Sequence, residues 1–327
     1  MVNYMRSIGI FTSGGDAPGM NAAIRSVVRT SIYHGVKPYG IARGYQGLIK
    51  GEVKEMNTHS VSSIIQRGGT ILKSARSTEF YTKEGRKKAF DTISKFGLDG
   101  LKAIGGDGTF TGARIFTEEY GIPFIGIPGT IDNDLYGTDY TIGYDTALNT
   151  VVQMVDRIRD TASSHNRLFF IEVMGKDAGF IALRSGVSVG AEAILIPETS
   201  TYIDQLVDKL RNKWKRQKSS LIIIVAEGDE SGGAYKVAAK VREQFDQYDT
   251  RVTVLGHVQR GGSPSAMDRV LASQLGLAAV NALLDGKKGV MVGIVNKEIQ
   301  YTPFERATKH HDKLNMDLLH LAELLAS

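Results

Sequence analysis

The sequence contains no cysteine, few prolines and no long hydrophobic run. The absence of cysteine from the 327 residues excludes a disulfide framework and a zinc site built on thiolates. The longest aliphatic run, Leu221–Ala226, is far too short to cross a bilayer, and Met1–Ile10 lacks the long apolar segment of a signal peptide. With 37 glycines, only seven prolines and 42% hydrophobic residues, the composition is that of a soluble globular protein, which we expect to be cytoplasmic.

Neither sign of charge dominates. Lysine and arginine number 40 and aspartate and glutamate 35, so the net charge is +5. The basic residues are scattered and form no long stripe, which argues against a nucleic-acid partner. We expect no membrane partner either, and small anionic ligands would account for the mild positive balance.

The length predicts two domains, and short apolar runs alternate with longer helical patterns from end to end. This alternation is typical of an α/β protein whose mainly parallel sheets are built from βαβ units. The predicted strands are Ser7–Thr12, Lys37–Ala42, Leu101–Ile104, Pro123–Ile127, Leu168–Val173, Ala193–Ile196, Leu221–Ala226, Val252–Leu255 and Val290–Val295. The predicted helices are Ala22–His34, Glu84–Phe96, Phe110–Tyr120, Thr146–Ser164, Ile203–Lys215, Ala234–Phe245 and Ala266–Leu284. Crossings near Gly143 and His257 would divide the chain into 1–143 plus 258–307 and 144–257 plus 308–327.

Three glycine-rich loops each follow a predicted strand. The first, Thr12–Asn21, contains Gly14-Gly15 and leads into a helix, so its backbone N–H groups and the helix N-terminus can face a phosphate. It lacks both the Gly-x-Gly-x-x-Gly spacing and a Gly-Lys-Ser/Thr sequence, which disfavours an ordinary dinucleotide or Walker-type site.

The second loop, Gly105–Thr109, adds the carboxylate of Asp107. Such a carboxylate suits a Mg²⁺ ion that keeps most of its waters and bridges nucleotide phosphates. The alternative is purely structural, since aspartate is a common N-cap of a helix.

The third loop, Pro128–Asp134, carries Asp132 and Asp134 directly after a buried strand. Turns rich in Gly, Asp and Asn are most often only solvated turns. Together, however, the three loops supply backbone donors, a metal-side carboxylate and a second carboxylate pair, which are the requirements of phosphoryl transfer to a hydroxyl.

The motifs resemble those of bacterial-type ATP-dependent 6-phosphofructokinases, in the same order over nearly the whole chain. They are TSGGDAPGMNAA at 12–23, GGDGT at 105–109, PGTIDND at 128–134, Met174-Gly175 and GHVQRGGSP at 256–264. The resemblance implies two similar three-layer α/β/α domains, a larger one that binds ATP and a smaller one that binds fructose 6-phosphate. It also implies a glycolytic kinase that uses Mg²⁺ and takes ATP as co-substrate.

The resemblance further implies a role for each matching residue. Asp132 is expected to be the general base that takes the proton from the 1-hydroxyl of fructose 6-phosphate, with Thr130 holding the reacting groups and Asp107 serving the Mg²⁺. The expected nucleotide-binding residues are Gly15, Arg76, Ser77, Gly106, Asp107, Gly108 and Thr109. The expected sugar-phosphate residues are Thr130, Ile131, Asp132, Arg167, Met174, Gly175, Lys176, Glu227, Arg251, His257, Val258, Gln259 and Arg260.

Arg167 and Arg251 carry an implication for assembly. In the family the matching arginines reach into the neighbouring subunit's site, which predicts an obligate oligomer, usually a homotetramer. The alternative for either arginine is a surface ion pair, which contributes little.

The chain departs from the family at Lys176, where the family has arginine. The positive charge is kept but the bidentate fork is lost, so Lys176 would act near the transferring phosphoryl group as a point charge. His165 has no clustered partners, and a lone histidine is more often a structural hydrogen-bonder.

An allosteric site is also implied, with ADP, GDP or phosphoenolpyruvate as candidate effectors. Arg25 and Arg29 share one face of the first predicted helix, a face that could equally be merely solvated. The matching effector residues are Arg25, Arg29, Arg159, Gly190, Glu192, Arg216 and Lys218. Thr58 and Ser63 replace a family arginine and an acidic residue, which predicts altered affinity or choice of effector.

Three alternatives differ in donor or in activity. Pyrophosphate-dependent relatives tend to carry Asp and Lys where this chain has Gly108 and Gly129, so small residues here leave room for a nucleoside and favour ATP. NAD and lipid kinases also use a GGDG loop but would not predict the segments at 128–134 and 256–264. A regulatory subunit without turnover would have lost Asp132 or Asp107.

Overall fold

A computed structural model describes residues 5–163, 167–216, 220–309 and 314–326 of the chain. The chain forms two compact units, one of residues 1–131, 135–146 and 260–312 and one of residues 132–134, 147–259 and 313–327. The division after residue 146 lies beyond the expected crossing near Gly143. The amides of Gly143 and Thr146 both donate to the Asp268 carboxylate, at 2.8 Å each, and so tie this stretch to the first unit.

The first unit contains a seven-stranded sheet. Its strands are β1 Ser7–Thr12, β2 Lys37–Ile41, β3 Val53–Glu55, β4 Gly100–Gly105, β5 Phe124–Pro128, β10 Val290–Val295 and β11 Glu298–Pro303. The strands numbered between β5 and β10 belong to the second unit. They are β6 Arg167–Val173, β7 Ala193–Leu195, β8 Ser220–Ala226 and β9 Asp249–Val254. The sheet order is β11-β10-β5-β4-β1-β2-β3, with the five central strands parallel and the two edge strands antiparallel.

Helices cover the sheets. They are α1 Met20–Tyr33, α2 Gly44–Lys50, α3 Lys83–Phe96, α4 Asp107–Tyr120, α5 Tyr144–Ser163, α6 Phe180–Ser188, α7 Ile203–Lys215, α8 Ala234–Gln244, α9 Ala266–Leu284, α10 Phe304–Lys309 and α11 Met316–Leu325. In the described part of the chain, no helix is long and apolar enough to span a membrane.

The core of the first unit follows the two-residue period of its strands. Phe11, Leu101 and Phe124 project from three neighbouring strands into one cluster with side chains of α2, α3, α4 and α10. Rings in this cluster meet edge to face, as Phe11 and Tyr45 do with centroids 4.9 Å apart. The opposite face of the sheet is equally buried, which is why these strands are mostly apolar and were predictable as short runs.

The second unit has a four-stranded parallel sheet in the order β7-β8-β6-β9. Leu221, Ile223 and Val225 of β8 pack with α7 and α8 on one face. The intervening residues of β8 are buried as well, so the apolar run too short for a membrane is the central strand of a sheet covered on both sides.

The predicted α/β class with mainly parallel sheets is confirmed. The sequence patterns missed β3 and β11, which are short or polar antiparallel edge strands, and four helices, namely α2, α6, α10 and α11. Of these, α2 is flanked by left-handed residues, with φ of +59° at Arg43 and +71° at Gly51.

The topology brings the ends of β1, β4 and β5 together. The three strands are parallel neighbours, so their carboxyl ends lie at one edge of the sheet. The Ser13 amide donates to Ile104 O and the Gly129 amide to Gly105 O, each at 2.9 Å. This edge is where α/β proteins bind ligands, and all three glycine-rich loops begin there.

Candidate active site

The loop after β1 presents bare backbone beside an arginine. Gly14 has a φ of +82°, a conformation that favours glycine. A Cβ on Gly15 would come within 2.5 Å of the Arg260 guanidinium, which also donates to Asp16 O at 3.2 Å. Arg260, expected at the sugar phosphate, therefore lies over a glycine expected at the nucleotide, and both belong to the first unit.

The loop after β4 runs directly into α4. Gly106 is the N-cap residue and provides no side-chain cap, so Asp107 is the first residue of the helix and its half-buried carboxylate is not the capping group. A Cβ on Gly105 would lie 2.4 Å from Thr109 Oγ1 and 2.6 Å from Ser13 O. The backbone is thus packed closely at Gly105. The Thr109 amide already donates to Gly106 O at 3.0 Å, so the part of the helix N-terminus that can face an anion is at Asp107 and Gly108.

Gly108 and Gly129 occupy different surroundings, and this corrects part of the reasoning from sequence. Among the described residues, nothing lies within 4 Å of the position that a Cβ on Gly108 would take, so the space above it is open. A Cβ on Gly129 would lie 2.8 Å from Ile104 Cγ2 and 3.2 Å from Met20 Cε. Gly129 is therefore small because it packs against the core, and only Gly108 bears on room for a nucleoside.

Thr130 and Ile131 continue from β5. Thr130 is 8% exposed, and its carbonyl accepts a 2.6 Å hydrogen bond from Thr141 Oγ1. If Gly106 carried a Cβ atom, that atom would lie 3.7 Å from Thr130 Cβ, so the two loops are close neighbours. Ile131 is wholly buried, so its side chain is not presented to a substrate.

The carboxylates of Asp132 and Asp134 belong to the second unit. Their residues are 8% and 7% exposed, and Asn133 between them has a φ of +54°. Asparagine tolerates this conformation better than most residues, so the tight turn places two mostly buried carboxylates on either side of it.

Arg76 and Ser77 lie in an irregular segment of the first unit. Arg76 is exposed, and Ser77 Oγ is 2.9 Å from Gln46 Oε1. The exposed guanidinium is available to a phosphate, whereas the serine hydroxyl already has a protein partner.

The loop after β6 holds Met174, Gly175 and Lys176 in the second unit. Gly175 has a φ of +148° and Lys176 one of +55°. The Glu227 carboxylate accepts from both of their amides, at 3.2 Å and 2.7 Å. The Lys176 side chain is 59% exposed and its ammonium lies 3.8 Å from Asp177, so the charge is free to move toward a ligand.

The segment after β9 contains His257, Val258 and Gln259. His257 and Val258 are exposed, whereas Gln259 is wholly buried with both ends of its amide bonded to protein. The expectation that the Gln259 side chain contacts substrate is not compatible with this burial.

Arg167 and Arg251 share one carboxylate. Both side chains donate to Asp249 Oδ2, at 3.1 Å from Arg167 and at 2.9 Å and 3.2 Å from Arg251. Desolvation alone would raise the pKa of Asp249, but these two guanidinium groups outweigh it and lower that pKa. The two arginines are thus side by side on β6 and β9, with Arg167 half-buried and Arg251 exposed.

The expected effector residues fall into two groups. Arg25 and Arg29 lie on α1 in the first unit, half-buried and exposed respectively. In the second unit Arg159 donates to Val189 O, next to Gly190, whose φ is +59°, while the Lys213 ammonium lies 3.2 Å from Glu192. Lys213 was missed because the sequence offers no local link between it and Glu192. Arg216 ends α7, and Lys218 and His165 lie outside the described residues.

A metal would find few protein ligands. Among the described residues, no group of three or more His, Cys, Asp or Glu side chains is arranged to hold one. A single carboxylate, Asp107, at a glycine cradle and helix N-terminus fits an Mg²⁺ ion that arrives on nucleotide phosphates and keeps its waters.

Comparisons with known proteins identify relatives of this chain. The phosphofructokinase family model matches residues 7–283. The chain is 56% identical over 322 residues to ATP-dependent 6-phosphofructokinase 2 of Bacteroides thetaiotaomicron, covering 98% of this chain and 99% of that protein. It is 57% identical over 321 residues to the ATP-dependent 6-phosphofructokinase of Cytophaga hutchinsonii, covering 98% of each chain.

Solved structures show the same fold. Phosphofructokinase from Saccharomyces cerevisiae superposes with a TM-score of 0.88 at 38% identity, covering 93% of this chain and 45% of the yeast chain. A pyrophosphate-dependent phosphofructokinase from Marinobacter aquaeolei superposes with a TM-score of 0.85 at 22% identity, over 97% of this chain and 91% of that one. This chain belongs to the phosphofructokinase family.

Proposed function

We propose that this protein transfers the γ-phosphoryl group of MgATP to the 1-hydroxyl of fructose 6-phosphate, giving fructose 1,6-bisphosphate and ADP. The observation that carries the proposal is the common edge of β1, β4 and β5, where glycine backbone and the Asp107 carboxylate lie together. Two relatives named as ATP-dependent 6-phosphofructokinases are 56% and 57% identical to this chain over 98% of its length. They support the choice of reaction and a role in glycolysis in the cytoplasm.

The first unit supplies the groups that suit MgATP. Gly15, Gly106 and the first turn of α4 offer backbone amides to phosphates, Thr109 lies 4% exposed beside them, and Arg76 offers a guanidinium. Asp107 would hold the magnesium ion. When bound, the ion neutralises charge on the β- and γ-phosphates.

Asp132 acts as the general base in this proposal. Its carboxylate accepts the proton of the sugar 1-hydroxyl as the hydroxyl oxygen attacks the γ-phosphorus in line, and the bond from phosphorus to the bridging oxygen of ADP breaks. Its low exposure keeps competing water away from the carboxylate. Thr130, two residues earlier, orients the reacting groups, and Lys176 supplies a positive point charge for the transferred group.

The sugar phosphate is recognised mainly by groups of the second unit. Glu227 and the backbone near Met174 and Gly175 face the hydroxyls, while His257 and Arg260 serve the 6-phosphate. Arg167 and Arg251 serve the 6-phosphate in a neighbouring subunit, since they form a partly exposed pair around Asp249. This part of the proposal requires an oligomer, and a homotetramer is the expected form.

We further propose that ADP, GDP or phosphoenolpyruvate regulates the enzyme. This proposal is supported by Arg159 of α5, which donates to Val189 O beside Gly190, by Glu192 directly before β7, and by the basic face of α1. Titration of ADP and of phosphoenolpyruvate against fructose 6-phosphate saturation tests it, because a real effector shifts the saturation curve and an absent one leaves it unchanged.

The donor is tested by a coupled assay of fructose 1,6-bisphosphate formation with ATP and pyrophosphate supplied separately. Open space above Gly108 favours ATP. We expect turnover with ATP and little with pyrophosphate, and the reverse result would overturn the choice of donor.

The base is tested with Asp132→Asn. We expect kcat to fall about 10²- to 10⁴-fold with both KM values changed little, because the amide keeps the shape but cannot accept the proton. Asp285→Asn, at an exposed carboxylate that ends α9, is the matched control and should keep wild-type kcat. Near-wild-type turnover of Asp132→Asn would show that another group takes the proton.

A further inference from the structure

Gln259 is the last residue of the second unit before the chain returns to the first, and its side chain is wholly buried. Its Oε1 accepts from the Met174 amide at 3.2 Å and its Nε2 donates to Gly256 O at 3.0 Å. One side chain therefore joins the loop after β6 to the segment after β9, across 85 residues of sequence.

The two amides after Met174 are also held by a side chain. Gly175 and Lys176 donate to Glu227 Oε1 at 3.2 Å and 2.7 Å. Three consecutive backbone amides thus bond to the side chains of Gln259 and Glu227. Lys176 is in a left-handed conformation, with a φ of +55°, which is unfavourable for a residue other than glycine. The loop keeps this shape because the surrounding groups hold it.

An apolar side chain of similar size would fill the Gln259 site without desolvating an amide. Burying an amide is unfavourable unless its donor and acceptor are both bonded, and both are bonded here. The polar side chain is therefore best explained by the two groups that it connects.

We propose that Gln259 is a positioning residue, which holds the Met174–Lys176 loop and the segment of His257 in the arrangement that binds fructose 6-phosphate. The proposal rests on the proposed function, because both segments belong to the expected sugar site. It replaces the expectation that Gln259 contacts substrate. The groups that Gln259 holds belong only to the expected sugar site, so replacing Gln259 should change the KM for fructose 6-phosphate and not the KM for ATP.

The first test is Gln259→Met, which keeps the volume and removes both bonds. We expect the KM for fructose 6-phosphate to rise about tenfold or more, while the KM for ATP stays within about twofold, because the Met174 amide and Gly256 carbonyl lose their partner. Gln274→Met, at an exposed glutamine of α9, is the matched control and should leave both values unchanged. Equal effects on both KM values, or none on either, would overturn the proposal.

The second test, Gln259→Glu, applies even where the methionine variant folds poorly. The ionised carboxylate can accept from Met174 but cannot donate to Gly256 O, whereas the protonated form can do both. Burial raises the pKa of a carboxyl group, so protonation occurs within a workable range. We expect the KM for fructose 6-phosphate in this variant, relative to wild type at each pH, to fall as the pH is lowered from 8 toward 6.

A purely structural role would lower the melting temperature of Gln259→Glu without this pH-dependent recovery, and that result would overturn the proposal. Wild-type protein provides the separate check on the reaction itself. If it fails to phosphorylate fructose 6-phosphate, the proposed function is wrong. If it is active and the variants match it, only the role of Gln259 is wrong.

Discussion

Lys102 lies in the middle of β4 with an exposed fraction of 0%. Its neighbours in register are Ile10 of β1 and Ile125 of β5, which are also wholly buried. Among the described residues, the Nζ atom has no hydrogen-bond partner. Burial lowers the pKa of Lys102 well below its ordinary range. We therefore expect the side chain to destabilise the first unit, and its replacement by an apolar residue to stabilise it.

The perturbation is Lys102→Met, which keeps an unbranched chain of similar length and removes the amine. An unbonded buried polar group costs about 1–3 kcal/mol in protein mutational data. We therefore expect the free energy of unfolding at pH 7 to rise by at least about 1–3 kcal/mol. For a unit of this size, each kcal/mol corresponds to about 2–4 °C in melting temperature.

The increase in the free energy of unfolding caused by Lys102→Met should become smaller as the pH rises. The folded pKa of Lys102 is lowered, so between that pKa and the unfolded value of about 10.4 the unfolded chain binds one proton more than the folded chain. Stability of the wild type then rises with pH by up to about 1.4 kcal/mol per pH unit from this residue. The advantage of Lys102→Met is therefore largest at low pH and shrinks as the pH approaches 10.4.

Urea unfolding followed by far-ultraviolet circular dichroism at pH 7, 8.5 and 9.5 measures this difference. Trp214, the one tryptophan of the chain, is in the second unit, so its fluorescence alone would not report on the first. Lys54→Met, at an exposed lysine of β3 in the same sheet, is the matched control and should show no pH-dependent difference. A loss of stability in Lys102→Met, or a difference that does not shrink with rising pH, would refute the reasoning.

Three further predictions concern the site. Gly105→Ala should destabilise the first unit by about 1–3 kcal/mol and raise the KM for ATP, because the added Cβ would overlap Ser13 O. Gly108→Ala is the control, and its melting temperature should equal or slightly exceed that of the wild type. Asp249→Asn should shift the urea midpoint little at pH 7, since exposed ion pairs contribute little, and any difference should vanish as the pH falls through the lowered pKa of Asp249. Lys176→Arg should raise kcat about two- to tenfold by restoring the fork, and an unchanged kcat would mean that the point charge suffices.

The central strands could be predicted to within one or two residues because both of their faces are buried, which leaves short apolar runs between helices. Lys102 shows the limit of that reasoning. It sits inside a run that was correctly predicted as a strand, and nothing local distinguishes a buried lysine from one at a sheet edge. The edge strand β11 was missed because most of its residues are exposed and it pairs only with β10, so it forms no apolar run in the sequence.

In the candidate site too, features set by nearby sequence could be predicted, whereas features set by contacts between distant residues could not. The three glycine-rich loops could be predicted to meet, because parallel neighbouring strands end at one edge and the motifs follow directly. Gln259 and Arg260 could not be separated by role, since both are polar residues of one motif. Their partners lie 85 residues away for Gln259, at Met174, and 244 residues away for Arg260, at Asp16. Strand and helix periods carry no information at such distances. Burial is what distinguishes the two: Gln259 has no exposed surface and holds a loop, whereas Arg260 is partly exposed beside Gly15 and remains available to a phosphate.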